Sequence, residues 1–327
     1  MTILQQNFNG AGQLPTGDFL REKASGPAPV FIYQPYIAEG DRAQLHEQAL
    51  PFNIAFNTGA DTREYELFRT LHAHHRQAAP ETDIFWGLVS GKFELKAATT
   101  FSSFFQEAES ARQSGADCYA YNPMIGLAAI YSNVWEQALM GGHPGMEKIF
   151  EHLAARGVPV ATPQNSATFF FCNYVCGNDR FWSGYFQFCE RILSDLDEQA
   201  RLGTPAGQVY GGGASYGRDS KAKMRPFVIE RLLGTYLRQA SEHGLKVAFH
   251  KPGLSDFEWK FGARLGGLLH YLLECKETFF AASDAATLEV WQKGRKPLIQ
   301  EPHLIWQMDD PPGWMPRSAA RRDHPGS

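Results

Sequence analysis

Ile84-Phe-Trp-Gly-Leu-Val89 is an unbroken apolar run of strand length that stops at Ser90-Gly91-Lys92. A run without polar alternation marks a strand covered on both faces, as in parallel sheets with helices on either side. Working outward, Val30-Phe-Ile-Tyr33 reads as an earlier strand, followed by Gln34-Pro35-Tyr36. Between the two, a helix around Thr62 to His74 carries Tyr65, Leu67, Phe68 and Leu71. Downstream, Phe101, Phe104, Phe105 and Ala108 share one helical face, Ser103 and Gln106 suit a capping box, and Gly115 suits the stop. Further strands are predicted at Cys118-Tyr-Ala-Tyr121, Thr168 to Val175 and Lys246-Val-Ala-Phe249. Asn178-Asp179 suits the cap of an aromatic-rich helix, and Pro226 opens a long one through about Ser241. Alternating strands and helices predict an α/β fold with a mainly parallel or mixed sheet flanked by helices. Such sheets collect ligands at the carboxyl ends of their strands. The expected organisation is a flexible leader over 1–28, one domain over 29–305, and a disordered tail over 306–327.

Composition narrows the function. With 327 residues, 43% hydrophobic and 20% charged, the chain can bury a large core in the ordinary manner of a soluble globular protein. Its 24 Phe, 12 Tyr and 7 Trp serve a core first, but flat rings with polar handles also suit carbohydrate and nucleotide sites. A net charge of −4 argues against general nucleic-acid binding, which needs clustered Lys and Arg. The sequence shows neither a transmembrane run nor the charged and apolar regions of a signal peptide, so a cytoplasmic location is expected. Five scattered cysteines fit reduced thiols, and Cys172 and Cys176 lack the second pair that a structural zinc site needs. Gly211-Gly-Gly213 reads as a link or lid and lacks the Lys-Ser/Thr of a P-loop, while no Gly-x-Ser-x-Gly elbow is present.

Asn133-Val-Trp-Glu-Gln-Ala-Leu-Met-Gly-Gly-His-Pro-Gly145 brings polar groups and a glycine-flanked histidine to a helix start. Met146, Ile149, Phe150, Leu153 and Ala154 form its apolar stripe, Pro144 suits its first turn, and Arg156 with Gly157 suits its end. Such a start offers unpaired N–H groups to an anion, although spacing alone favours a plain turn that starts a helix.

Several of these segments, taken in order, resemble a family. Ile84 to Phe93, Asp117-Cys-Tyr-Ala-Tyr-Asn-Pro123, Asn133-Val-Trp-Glu-Gln137 with His143-Pro-Gly145, Cys172-Asn-Tyr-Val175 with Phe181-Trp182, and Pro226 to Leu233 are similar to bacterial surface-polysaccharide glycosyltransferase-like proteins. These are associated with capsule and O-antigen synthesis. The resemblance runs from about Val30 to Lys251 and implies a GT-A-like fold, a nucleotide-sugar donor, a glycan acceptor, and peripheral association with polysaccharide assembly enzymes. It also implies Mn2+ or Mg2+ at an Asp-x-Asp closing a strand. Here Asp117 precedes its strand, and Asp195-Leu-Asp197 falls on a helix surface.

Glycosyl transfer requires a neutralised diphosphate, a deprotonated acceptor and exclusion of water. Glu136, His143 and Glu230 are the catalytic candidates, with His143 biased toward its neutral form by the helix start. Lys92, Asn122, Trp135, Asn173 and Arg231 are the substrate-binding candidates, and Tyr174 stands beside Asn173. His250 and Asp117 are the candidate metal ligands. Each has a plainer reading: a solvated lysine, an exposed carboxylate, a surface ion pair, or a buried amide satisfying nearby backbone. On the wheel of the Pro226 helix, Glu230 falls at the edge of the apolar face and Arg231 nearly opposite it. The alternative to a transferase is a degenerate transferase fold that binds glycan or scaffolds other enzymes, consistent with the missing Asp-x-Asp.

Overall fold

A computed structural model describes residues 14–25, 29–55, 64–79, 84–141, 143–170, 172–214, 223–242 and 244–301. In chain order the first half holds α1 (Gly17–Ala24), β1 (Val30–Tyr36), α2 (Glu39–Arg42), β2 (Leu50–Asn53), α3 (Glu64–Ala78), β3 (Phe85–Leu88), α4 (Phe93–Lys96), α5 (Phe101–Gln113) and β4 (Cys118–Ala120). There follow α6 (Ile125–Ile130), α7 (Val134–Gly141), α8 (Met146–Ala155), β5 (Val175–Gly177), α9 (Asp179–Arg201) and α10 (Pro205–Gly211). The last elements are α11 (Met224–Glu242), β6 (Val247–Phe249), α12 (Leu254–Ala282) and α13 (Ala285–Gln300).

The strands form one mixed sheet in the order β2-β1-β3-β5-β4-β6. β1 pairs parallel with β2 and β3, β4 pairs parallel with β6, and β5 runs antiparallel to both β3 and β4. Only β5 is therefore reversed. Its amino end lies at the rim where every other strand has its carboxyl end, and Tyr121 N–H donates to Tyr174 C=O there at 2.9 Å.

Strand periodicity divides the interior into two cores. Phe31, Tyr33, Ile84, Trp86, Leu88, Cys118, Ala120 and Val175 face the larger one, under α3, α9, α11 and α12. Ile32, Phe85, Val89, Tyr119, Tyr121, Tyr174 and Cys176 face the smaller one, closed by Phe93, Phe101, Phe104 and Ala108 from α4 and α5. Successive strand residues point to opposite faces, so the uninterrupted run at Ile84 to Val89 is what a sheet buried on both sides demands. Gly87 breaks the bulk of that run for a steric reason: a Cβ there would lie 2.4 Å from the Val175 carbonyl oxygen. On the larger side, Trp182 stacks on Trp86 at 4.3 Å and donates to the Trp86 carbonyl.

Helix ends follow their chemistry. Asn178 caps α9 by accepting from Phe181 N–H, and Arg156 and Gly157, with φ +75°, close α8. The cap of α5 is Thr100, accepting from Ser103 N–H, rather than a box opened by Ser103. Gly145, with φ +90°, precedes α8, so Pro144 stands outside the first turn. At the carboxyl end of α6 the usual orphan carbonyls are all met by side chains. Lys276 donates to Ala128 and Tyr131 at 2.7 Å each, Trp291 to Ala129 at 2.7 Å, and Arg295 to Ile130 at 2.9 Å.

Three expectations are corrected. The leader is ordered over 14–25, where the α1 side chain of Leu20 is fully buried against the main core. Thr168 to Val175 is not one strand, because Thr168 and Phe169 turn back onto Asn165 C=O and the strand begins only at Val175. Phe169, Phe170 and Tyr174 are drawn to the core in irregular backbone, which periodicity cannot distinguish from a strand. Gly211 ends α10, Gly212 caps it and Gly213 bridges to Lys223, so these glycines are built into the helical layer, while the tail over 306–327 falls outside the described residues.

Candidate functional site

The rim at the carboxyl ends of the parallel strands gathers polar groups from four segments. After β3 come Ser90, the exposed Lys92 and, at the end of α4, Lys96. Ser90 Oγ and Tyr174 Oη share a hydrogen bond of 2.8 Å across the β3–β5 seam. From the segment before β5 come Cys172 and Asn173, two successive non-glycine residues with φ of +79° and +54°. Left-handed backbone at non-glycine positions costs of order 1 kcal/mol or more each and persists where the surroundings enforce it. Asn173 is 4% exposed, and among the described residues its Oδ1 has no hydrogen-bond partner.

Charges of both signs surround this turn. Burial pushes the Cys172 thiol up to about 12, the fields of Glu230 and Glu64 add to the rise, and those of Lys96 and Lys260 oppose it. Glu64 and Glu230 also raise the Tyr174 hydroxyl, after burial. Glu64 opens α3 and the half-buried Glu230 sits on α11, and both carboxylates act electrostatically on Cys172 and Tyr174, before β5. Cys172 is thus a neutral thiol within electrostatic reach of two carboxylates and two ammonium groups.

Lys260 ties the rim together. Its ammonium, 8% exposed, donates to the carbonyls of Lys96 and Pro123, joining the segments that follow β3 and β4. Burial lowers it to about 8. Immediately beyond it, Gly262 takes φ +76° and bends α12, which lets Lys260 and Phe261 turn toward the sheet. A Cβ on Gly126 would meet the Phe261 ring at 2.7 Å.

Of the residues singled out from sequence, Lys92, Asn122, Asn173, Glu230 and His250 stand at or beside this rim. Asn122 is buried after β4, and its Oδ1 accepts from Met124 N–H at 2.9 Å in the turn that opens α6. His250 follows β6. Its Nδ1 faces Glu107 at 3.1 Å and its Nε2 faces Asp256 at 3.2 Å. Burial alone would lower this imidazole, but the two carboxylates outweigh it and raise it to about 9. Both nitrogens then carry protons, and neither offers a lone pair to a metal.

Asp117 lies at the opposite end of the sheet. It precedes β4 and binds Asn178 Nδ2 at 3.1 Å, Arg180 Nη1 at 3.0 Å and Lys246 N–H at 2.9 Å. Lys246 precedes β6 and His250 follows it, a separation of roughly 13 Å along a strand. One divalent ion, whose ligands stand about 2 to 2.6 Å away, cannot hold both. The pairing of Asp117 with His250 as metal ligands is corrected on that ground. Among the described residues no cluster of three or more His, Cys, Asp or Glu is arranged to hold a metal ion. Asp195 and Asp197 lie on α9, paired with His152 and Arg156 and with Arg225.

The described part of the Asn133 to Gly145 stretch is built into the helical layer. Asn133 Oδ1 caps α7 by accepting from Trp135 and Glu136 N–H. Trp135 is 1% exposed and donates from its indole to Thr235 Oγ1 at 2.9 Å, which leaves no ring face for a sugar. Glu136 accepts from Ser132 N–H and is clamped by Arg295, with contacts of 2.9 to 3.1 Å. Burial opposes the charge of Glu136, but these hydrogen bonds hold its carboxyl below the usual range. It is a structural ion pair, apart from the rim.

Arg231 departs most from the helical wheel. It is 1% exposed and donates to the Val134 and Phe227 carbonyls and to Gln137 Oε1, clamping α7 onto α11. α11 is buried nearly all round, so a wheel with one wet face does not describe it. His143 packs on the Phe227 ring at 4.2 Å. Burial first, then the Arg231 charge, lowers it to about 3, so the neutral form is held by packing and not by a helix start. The structure does not bring Trp135, Glu136 or Asp117 to the rim, and it adds Glu64, Ser90, Lys96, Tyr174 and Lys260. Only Tyr174 stood out in the sequence. Lys260, between Phe257 and Phe261, carried a faint signal as a charge on an apolar helix face.

No family model, curated protein or solved structure matches the chain. Among the described residues no helix is long and apolar enough to cross a membrane.

Proposed function

We propose that the chain is a glycosyltransferase of GT-A-like fold that moves a sugar from a nucleotide-sugar donor to a growing surface glycan. The observation that carries this reading is the buried, unpartnered Asn173 carbonyl set among lysines and carboxylates at the rim. The mixed sheet flanked by helices and the ordered motifs from Val30 to Lys251 support it further. Lys92 and Lys96, after β3, offset the charge of the leaving diphosphate. Asn173 and the Ser90–Tyr174 pair hold sugar hydroxyls. Glu230 accepts the acceptor's hydroxyl proton as its oxygen bonds the anomeric carbon and the bond from that carbon to the diphosphate oxygen breaks. The nucleoside diphosphate leaves as the anion. The proposed ion ligands Asp117 and His250 do not fit a shared metal, so no step is routed through one.

A thermal-shift screen with UDP-, GDP- and CMP-sugars, with and without manganese, tests the binding half by mass action on the folded state. For the sugar donor that binds, Glu230→Gln is expected to lower turnover by about 100-fold or more, while Glu136→Gln leaves kcat within about threefold. Unchanged turnover in Glu230→Gln removes the assigned base. A chain that ignores every nucleotide sugar and shifts only with polysaccharide or a partner protein is the glycan-binding scaffold instead.

A further inference from the structure

We infer that the outward stripe of α12 docks against the same stripe of a second copy of this chain, the two helices running antiparallel about Leu269. Beyond the bend at Gly262, α12 continues over 263–282, a rise of about 30 Å. Its inward face carries Gly266, Leu269, Leu272, Leu273 and Lys276, all buried. At about 100° per residue, Arg264, Gly267, Leu268, Tyr271 and Glu274 fall on the side away from them. Leu268 is 44% exposed and Tyr271 54%, and the two lie one helical turn apart. Arg264 and Glu274, both exposed, stand at the two ends of this apolar centre.

Two adjacent glycines in this helix differ in what they serve. A Cβ on Gly266 would lie 2.6 Å from the Phe257 carbonyl oxygen, so packing across the bend requires that glycine. A Cβ on Gly267 would meet nothing within 4 Å. Glycine inside a helix costs roughly 1 kcal/mol relative to alanine, and no close approach among the described residues calls for Gly267. In an antiparallel pair centred on Leu269, positions equally distant from that residue face each other. Gly267 then stands opposite the partner's Tyr271, with room for its ring, and Arg264 stands opposite the partner's Glu274. Each contact occurs twice, as two-fold symmetry requires. Within one helix Arg264 and Glu274 are about 15 Å apart along the axis, too far to pair. Among the described residues Arg264 has no ion-pair partner, and Glu274 has His270 at 4.0 Å. A parallel pair would set Arg264 against the partner's Arg264, so charge complementarity selects the antiparallel arrangement.

One helix pair sits at the small end of specific interfaces, so a weak dimer is expected, with a dissociation constant of about 1 to 100 µM. Sedimentation velocity of the full chain over about 1 to 500 µM measures it. Tyr271→Ala and Arg264→Glu are each expected to weaken the dimer about tenfold or more. Glu274→Arg alone does the same, whereas Arg264→Glu combined with Glu274→Arg restores association to within about threefold of the native chain. These three side chains are exposed, so the substitutions leave the fold intact. Gly267→Leu favours the helix itself, yet it is expected to weaken the dimer because it fills the space that the partner's ring needs. A chain that stays monomeric at every concentration overturns the inference, whether the stripe then meets a lipid surface or another protein. So does a dimer indifferent to these substitutions, or one that the paired charge swap fails to restore.

Discussion

At the carboxyl end of α6 (Ile125–Ile130), consecutive carbonyls from Ala128 to Tyr131 each receive a donor from Lys276, Trp291 or Arg295. At the amino end of β5 (Val175–Gly177), Asn173 keeps a buried acceptor empty on left-handed backbone. Both regions are buried, both involve a lysine from α12, and both join a loop to a core. The first is complete in itself. Burying a polar group without a partner costs about 1 to 3 kcal/mol, and the α6 end avoids that cost while the β5 end incurs it. The contrast separates an end whose polar groups are all met from one that leaves a polar atom unmet, and the function proposed above rests on the second.

The widest gap between the two regions is expected for Lys276. It is fully buried, over the Phe169 ring at 4.9 Å, and lowered to about 7 by burial. Lys276→Met leaves two carbonyls without donors and is expected to cost about 3 kcal/mol, measured by urea unfolding. A loss under about 1 kcal/mol would mean that water replaces the ammonium and that the α6 end is not the closed structure described.

A middle effect tests the border of the rim. His250 is raised to about 9 between Glu107 and Asp256. The folded state therefore binds more protons than the unfolded one between about 6.5 and about 9. Its stabilisation is full below the lower value and fades as pH rises through the upper. The stability difference between the native chain and His250→Gln is expected to be largest near pH 6, by about 2 to 3 kcal/mol, and to vanish above about pH 10. A difference independent of pH would show that the imidazole is not held as a cation.

The smallest effect is expected at Asn173 itself. Asn173→Gly relieves the left-handed strain and removes an acceptor that nothing satisfies, against a loss of packing. Unfolding free energy is expected to change by no more than about 1 kcal/mol. A large loss would place Asn173 with Lys276, as a structural group.

How much of this the sequence disclosed varies with the distance between partners. Asn178 was legible as a cap because it serves Phe181 N–H three residues on, and the alternation of strands and helices was legible because burial imposes local periods. Lys92, Asn122 and His250 were legible as residues just after strands, which α/β folds bring to one rim, whereas Asn173 read as part of a strand and Glu230 as the edge of a helix's apolar face. Glu136 misled because its partner Arg295 is 159 residues away, and a lone carboxylate near a glycine-rich turn reads the same whether it is clamped or catalytic.

The sequence by itself determined an α/β chain with its apolar run buried on both faces, since alternation and capping are written in neighbouring residues. Tertiary structure alone decided that β5 runs against the other strands, carrying Cys172 to Tyr174 to the rim. It alone set Asp117 at the far end from His250 and buried Arg231 between α7 and α11. The physical reason is that local patterns fix which faces are apolar, whereas the choice among long-range partners is made only when the whole core closes and each buried polar group finds, or lacks, its donor.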